Sequence, residues 1–156
     1  MGFIVEKDFI YCGYRCIVIG TSMGHRCGYI EIPEGNPLYE KNYDEIDGYI
    51  NVHGGWTYSE YGNETYPVAS DNHSWFIGFD CAHLYDKPDK ELIEKLCDND
   101  ILLISQFETV FARFKSVGDK RSIKTTEYVV NELRSAVKQI IDESYKDKVD
   151  TKENFN

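Results

Sequence analysis

The chain has 156 residues and a mass of 18.1 kDa, room for one domain of ordinary size. At 42% hydrophobic, 14% aromatic and 28% charged its composition is globular, which excludes a wholly disordered chain, a collagen-like repeat and a coiled coil. A net charge of −10 repels phosphate backbones and argues against sequence-independent DNA or RNA binding, and no apolar run approaches the roughly 18 residues of a membrane span.

The charge is unevenly placed. Residues 1–86 hold four basic and 13 acidic side chains, whereas residues 87–156 hold 13 basic and 14 acidic ones. The first half also carries all four histidines, both tryptophans and ten of the twelve tyrosines, so its chemistry is concentrated there. The N-terminal MGFIVEKDFIY has neither the basic start nor the long apolar stretch of a secretory signal, which predicts an intracellular chain. The five cysteines, at 12, 16, 27, 81 and 97, contain no CxxC pair and are expected to be reduced.

In chain order, residues 11–83 read as short strands separated by turns. Tyr14–Gly20 is rich in β-branched residues and ends at a Gly20–Gly24 hairpin connection. His25–Ile32 follows and is stopped by the turn chemistry of Pro33–Pro37. Tyr49–His53 reads as a third strand, Trp56–Glu60 as a fourth and Ser74–His83 as a fifth, largely apolar one, with a polar loop over 61–73 that includes His73. Beyond residue 86 the period changes to 3.6. Asp86 reads as a helix N-cap with Pro88 in the first turn, giving a helix over 88–97 that buries Leu92, Ile93 and Leu96. Residues 101–114 fit a helical stripe better than a strand pair. Val129, Val130, Leu133, Val137, Ile140 and Ile141 define a final helix over 125–143, capped by Thr125 or Thr126. The expected architecture is a single α+β domain over 1–143, an antiparallel sheet at residues 11–83 packed against C-terminal helices, with a frayed polar tail at 144–156.

Three segments carry reactive side chains. In GHRCGY (24–29), strand alternation puts His25 and Cys27 on one face and Arg26 on the other. In GFDCAH (78–83), Cys81 and His83 share a face and Asp80 points away. Two such pairs could supply His25, Cys27, Cys81 and His83 as four ligands of a structural Zn²⁺. Zinc is therefore possible, and no other cofactor is expected. The third segment, His53-Gly54-Gly55-Trp56-Thr57-Tyr58, places an imidazole beside glycine backbone that a ligand can approach closely. His53 and His83, with Asp80, are the candidate catalytic acid/base set. Arg26, Gly54 and Gly55 would hold a phosphate, and Trp56, Tyr58 and Trp75 would stack a base. His83 and Asp86 also have the spacing of a base and its orienting carboxylate, or of a turn leading into a helix. The P-loop, GxGxxG and GxSxG signatures are all missing from the sequence.

In combination, GHRCGY, the Pro33, Gly35, Pro37-Leu38-Tyr39 turn with Tyr43, VHGG-x-TY (52–58), W-x-x-GFDCAH-x-x-D (75–86) and the closing helix around Glu127–Leu133 resemble a family of small bacteriophage and prophage proteins without an established activity. The chain departs from that pattern at Asn36, usually histidine, at Trp56, usually leucine, and at Leu84-Tyr85, usually small residues. The resemblance implies viral origin and action in the host cytoplasm. Joined to the histidine-bearing segments, it suggests a counter-defence protein that sequesters or degrades a small nucleotide-derived immune signal. An alternative is an acidic inhibitor, anti-CRISPR-like or a nucleic-acid mimic, that binds a host defence protein through the −9 half. A second alternative is a zinc-stabilised domain or metal-dependent hydrolase. Membrane partners are not expected, and the sequence fixes no oligomeric state.

Overall fold

A computed structural model describes residues 2–63, 66–68, 74–97 and 101–142. Its centre is a five-stranded antiparallel sheet. The strands are β1 (Phe3–Tyr11), β2 (Tyr14–Thr21), β3 (Arg26–Ile32), β4 (Tyr58–Tyr61) and β5 (Trp75–Asp80), in the order β1-β2-β3-β5-β4. The α+β architecture with C-terminal helices is as expected.

The middle strands are continuous apolar runs because both faces of the sheet are covered. Cys16 and Val18 of β2, Ile30 of β3 and Ile77 and Phe79 of β5 face one core. That core is closed by the helix α4 (Thr126–Ile141), which buries Val129, Val130, Leu133, Ala136, Val137 and Ile140. The opposite face carries Ile17, Ile19, Tyr29 and Phe76, packed against Tyr58 and Tyr66. Thr125 caps α4 by accepting the Tyr128 N–H at 3.2 Å, as its sequence indicated.

Several boundaries differ from the sequence reading, each for a local reason. The sheet starts at Phe3 instead of Tyr11. The run Glu6-Lys7-Asp8 breaks the alternation, and a bulge between Val5 and Lys7 absorbs the extra residue on this edge strand. Tyr49–His53 is no strand, because Gln139 of α4 accepts the Asn51 N–H at 2.7 Å and donates to the Asn51 carbonyl at 2.9 Å. Those two bonds replace a sheet ladder and hold the segment against the helix. Ahead of it runs the single turn α1 (Tyr43–Ile46). The strand expected at 56–60 is β4, shifted to Tyr58–Tyr61, and the one expected at 74–83 ends at Asp80.

The first C-terminal helix, α2 (Lys90–Leu96), is capped by Asp89, whose side chain accepts the Glu91 N–H. Asp86 is therefore not its cap and is left for another role. Residues 101–114 lie within the helix α3 (Ile101–Ser116). A two-residue parallel pair joins β6 (Asp86–Lys87) to β7 (Ser122–Ile123). This pairing carries the chain just before α4 onto the segment that follows β5. His73 and the tail at 144–156 lie outside the described residues.

Candidate functional site

Asp86 is 1% exposed and lies at the end of a turn in which its N–H donates to the His83 carbonyl at 2.9 Å. One of its oxygens, Oδ2, collects three contacts: His53 Nε2 at 2.9 Å, His83 Nδ1 at 3.0 Å and the His83 backbone N–H at 3.0 Å. The other oxygen, Oδ1, faces the Lys124 ammonium at 3.3 Å as an ion pair, without an aligned hydrogen bond. A buried carboxylate needs such compensation, since removing it from water costs several kcal/mol, of order. Burial pushes the Asp86 carboxyl up, but the bonds from His53 and His83 outweigh it and hold the group at about 2. Asp86 is thus an anion at neutral pH.

An ionised oxygen accepts only, so in the neutral rings His53 carries its proton on Nε2 and His83 carries its proton on Nδ1. His53 Nδ1 is then an acceptor for the Tyr128 hydroxyl, 2.8 Å away on α4. His83 Nε2 keeps an open lone pair, 4.0 Å from Asp80 Oδ1, on a side chain 27% exposed. The two rings meet edge to face at 5.4 Å, and Tyr85 stacks on His83 with its ring 5.6 Å away and 9° from parallel.

The glycine pair explains how the rings come this close. Gly54 and Gly55 both have positive φ, +69° and +85°. A Cβ on Gly54 would lie 2.2 Å from His83 Cε1, and one on Gly55 would lie 2.9 Å from Asp47 Oδ1. The space beside the glycines is therefore filled by His83 and by the Asp47 carboxylate, which accepts the Trp56 N–H at 3.2 Å. This corrects their expected role as a phosphate cradle.

Of the residues singled out by sequence, His53 and His83 are brought together, with Asp80 at the periphery, where it accepts from Thr57 Oγ1 at 2.9 Å and the Ala82 N–H at 3.1 Å. The rest are not. Arg26 is buried and its charge is matched by Glu6 at 2.7 Å and Asp89 at 2.9 Å. It also donates to the Lys124 carbonyl at 3.3 Å, so it braces the segment that bears Lys124 and offers no free cation to an anion. Trp56 lies in the core with its indole N–H donating to the Ile50 carbonyl at 2.8 Å. Trp75 is in the same core between Tyr39 and Tyr61. Tyr58 packs on Tyr29 and Tyr66 on the sheet face away from α4. None of these three rings is free to stack a ligand.

The four-ligand zinc set does not assemble either. The β3/β5 register pairs Cys27 with Asp80, so Cys81 emerges on the opposite face from Cys27. Burial pushes the Cys27 thiol up to about 11 and the Cys81 thiol higher still, which keeps both neutral. His25, lowered by burial, bonds the Cys81 main chain. The metal-compatible group among the described residues is a different one: donor atoms of His53, His83 and Asp86 all lie within 4.8 Å of one another.

No family model, curated protein or solved structure matches this chain.

The chemistry is therefore read from the side chains themselves. The arrangement is a pair of imidazoles fixed by one buried carboxylate, with a cation behind the carboxylate, a phenol behind one ring and an open nitrogen on the other. Sequence reasoning reached the His83–Asp86 pair and marked Leu84-Tyr85 as a departure beside it, but missed Tyr128 and Lys124. Tyr128 carried a usable signal, a hydroxyl beside the apolar stripe in the first turn of α4. Lys124 carried none, because only the β6/β7 pairing places it.

Proposed function

We propose that this is a phage-encoded counter-defence protein that captures and degrades a small nucleotide-derived immune signal in the host cytoplasm, with His83 as general base. The observation that carries this reading is the single Asp86 oxygen shared by His53 and His83. A carboxylate bonded to Nδ1–H holds the ring in one tautomer and aims its Nε2 lone pair outward, the arrangement an acid–base histidine needs. In hydrolysis of a phosphate ester or anhydride, water gives a proton to His83 Nε2 as its oxygen bonds to phosphorus. The ester oxygen leaves with a proton from solvent, and Asp86 stabilises the transient imidazolium. A positioned base of this kind contributes of order 10²–10⁴ in rate.

The viral setting comes from the family resemblance, the nucleotide class from joining a counter-defence role to the histidine-bearing segments, and the reaction class from the site. Incubation with cyclic di- and trinucleotides and ADP-ribose derivatives, followed by mass spectrometry of products, tests both. The expected result is conversion of at least one of them, reduced about 100-fold or more in His83→Asn. Absence of product from every member with the native protein would overturn the degradative reading.

The convergence of three donors within 4.8 Å favours one other reading, a divalent ion such as Zn²⁺ held by His53 Nε2, His83 Nδ1 and Asp86 Oδ2. Of the ring nitrogens facing away from that point, His53 Nδ1 has the Tyr128 hydroxyl at 2.8 Å to accept its proton, whereas His83 Nε2 has the Asp80 carboxylate at 4.0 Å, beyond hydrogen-bond reach. Calorimetric titration with zinc separates the two: micromolar or tighter binding that Asp86→Ala abolishes would support the ion.

A further inference from the structure

The turn that joins His83 to Asp86 exposes two large apolar side chains side by side, Leu84 at 90% and Tyr85 at 53%. Neither contributes to the core. Both line a cleft of about 320 Å³ whose other wall is Lys120 and Arg121. That wall is braced from behind. Arg121 makes two 2.9 Å bonds to the Asp119 carboxylate and lies 3.6 Å over the Phe114 ring, and the β6/β7 pairing fixes the following residues against Asp86 and Lys87. Lys120 is exposed and has no carboxylate partner among the described residues. Lys124 Nζ stands 5.9 Å from the Tyr85 ring. Arg121 and Lys124 are matched by Asp119 and Asp86, so Lys120 is the exposed cation of this wall on a chain of net charge −10.

An aromatic and aliphatic wall facing the Lys120 ammonium defines a ligand by its parts: a planar ring on Leu84 and the face of Tyr85 turned away from His83, and an anion on Lys120. The size adds a limit. At about 320 Å³ the cleft is at the small end of small-molecule sites, a size that suits one nucleotide unit. We propose that Leu84, Tyr85, Lys120 and Arg121 form a recognition subsite for a nucleoside monophosphate unit, with its phosphate toward Lys120. The proposal depends on the catalytic reading only for what happens to the ligand once it is bound.

Adenosine 5′-monophosphate, adenosine and inorganic phosphate serve as probes, titrated by calorimetry into the full chain at low and moderate salt. The monophosphate is expected to bind at least tenfold more tightly than either part, and more weakly as salt rises. Base–aromatic stacking predicts a loss of about tenfold or more for Tyr85→Ala with all probes that carry the base. Lys120→Glu should weaken the monophosphate and leave adenosine unchanged. Both residues are exposed, so an unchanged melting temperature verifies the fold of each variant. No binding of the monophosphate at several millimolar, or equal affinity of the native protein and both variants, would overturn the subsite. The two claims fail separately. Binding that persists in His83→Asn without turnover of any nucleotide in the native protein leaves the subsite and removes the catalysis. Turnover that needs His83 but ignores Tyr85→Ala and Lys120→Glu does the reverse.

Discussion

Asp86 holds the site together through charge. Its one oxygen accepts from two rings and a backbone N–H, and its other faces an ammonium, so truncation would leave three donors without their acceptor and strip Lys124 of its counter-charge. Asp86→Ala is expected to lower stability by about 3 kcal/mol, read by denaturant unfolding. The pH dependence follows from the same bonds. The carboxyl sits at about 2 in the folded protein and near 3.8 when free, so the unfolded chain binds its proton first as pH falls. The stability it contributes is fully present above about pH 4 and is lost as pH drops toward 2. In Asp86→Asn that part of the acid limb should flatten, which melting curves across pH 2–5 would measure. At this scale the sequence was partly legible: His83 and Asp86 are three residues apart and their pairing is a local matter. That His53 completes the set, and that Asp80 stays outside it, depends on the path of a loop some thirty residues away.

Among the elements, the strands with continuous apolar runs and the last helix could be read because each has one dominant period and a strong stop. β1 could not, since three consecutive charges hide an edge strand whose bulge lets Glu6 reach Arg26. Tyr49–His53 has strand composition but its backbone is claimed by Gln139, a pairing with no sequence signature. The His53-Gly54-Gly55 turn was recognised as special but for the wrong occupant. The close approach that glycine permits is used by the protein's own His83 and Asp47. Gly54→Ala is therefore expected to do two things. It should cost about 1–2 kcal/mol from the left-handed backbone and the clash, and it should push the His83 ring off Asp86. A loss of turnover larger than the loss of stability explains would be the signature, measured at a temperature where the variant is fully folded. Gly13, which also has positive φ but open space around it, provides the control: Gly13→Ala should cost stability alone.

For the whole molecule, the charge split along the chain pointed to an N-terminal half rich in chemistry and a second half that supplies support. The fold does not respect that division. His53, His83 and Asp86 come from the acidic half, whereas Lys124 and Tyr128, and the cationic wall at Lys120 and Arg121, come from the other. The difficulty of accepting an anion on a chain of net charge −10 is met by Lys120, while Arg26 and Arg121 are spent on internal ion pairs. No helix among the described residues is long and apolar enough to cross a membrane.

The central claim is that one buried carboxylate sets the tautomers of both histidines, and nitrogen-detected NMR of the two imidazoles tests it most directly. The account predicts, at neutral pH in metal-free protein, His53 protonated on Nε2 and His83 on Nδ1, with both assignments lost in Asp86→Ala. Zinc bound at the three donors would reverse both tautomers in the same spectrum. Finding the opposite tautomers in metal-free protein, or tautomers that do not respond to Asp86→Ala, would contradict the shared-carboxylate centre and with it the catalytic role of His83.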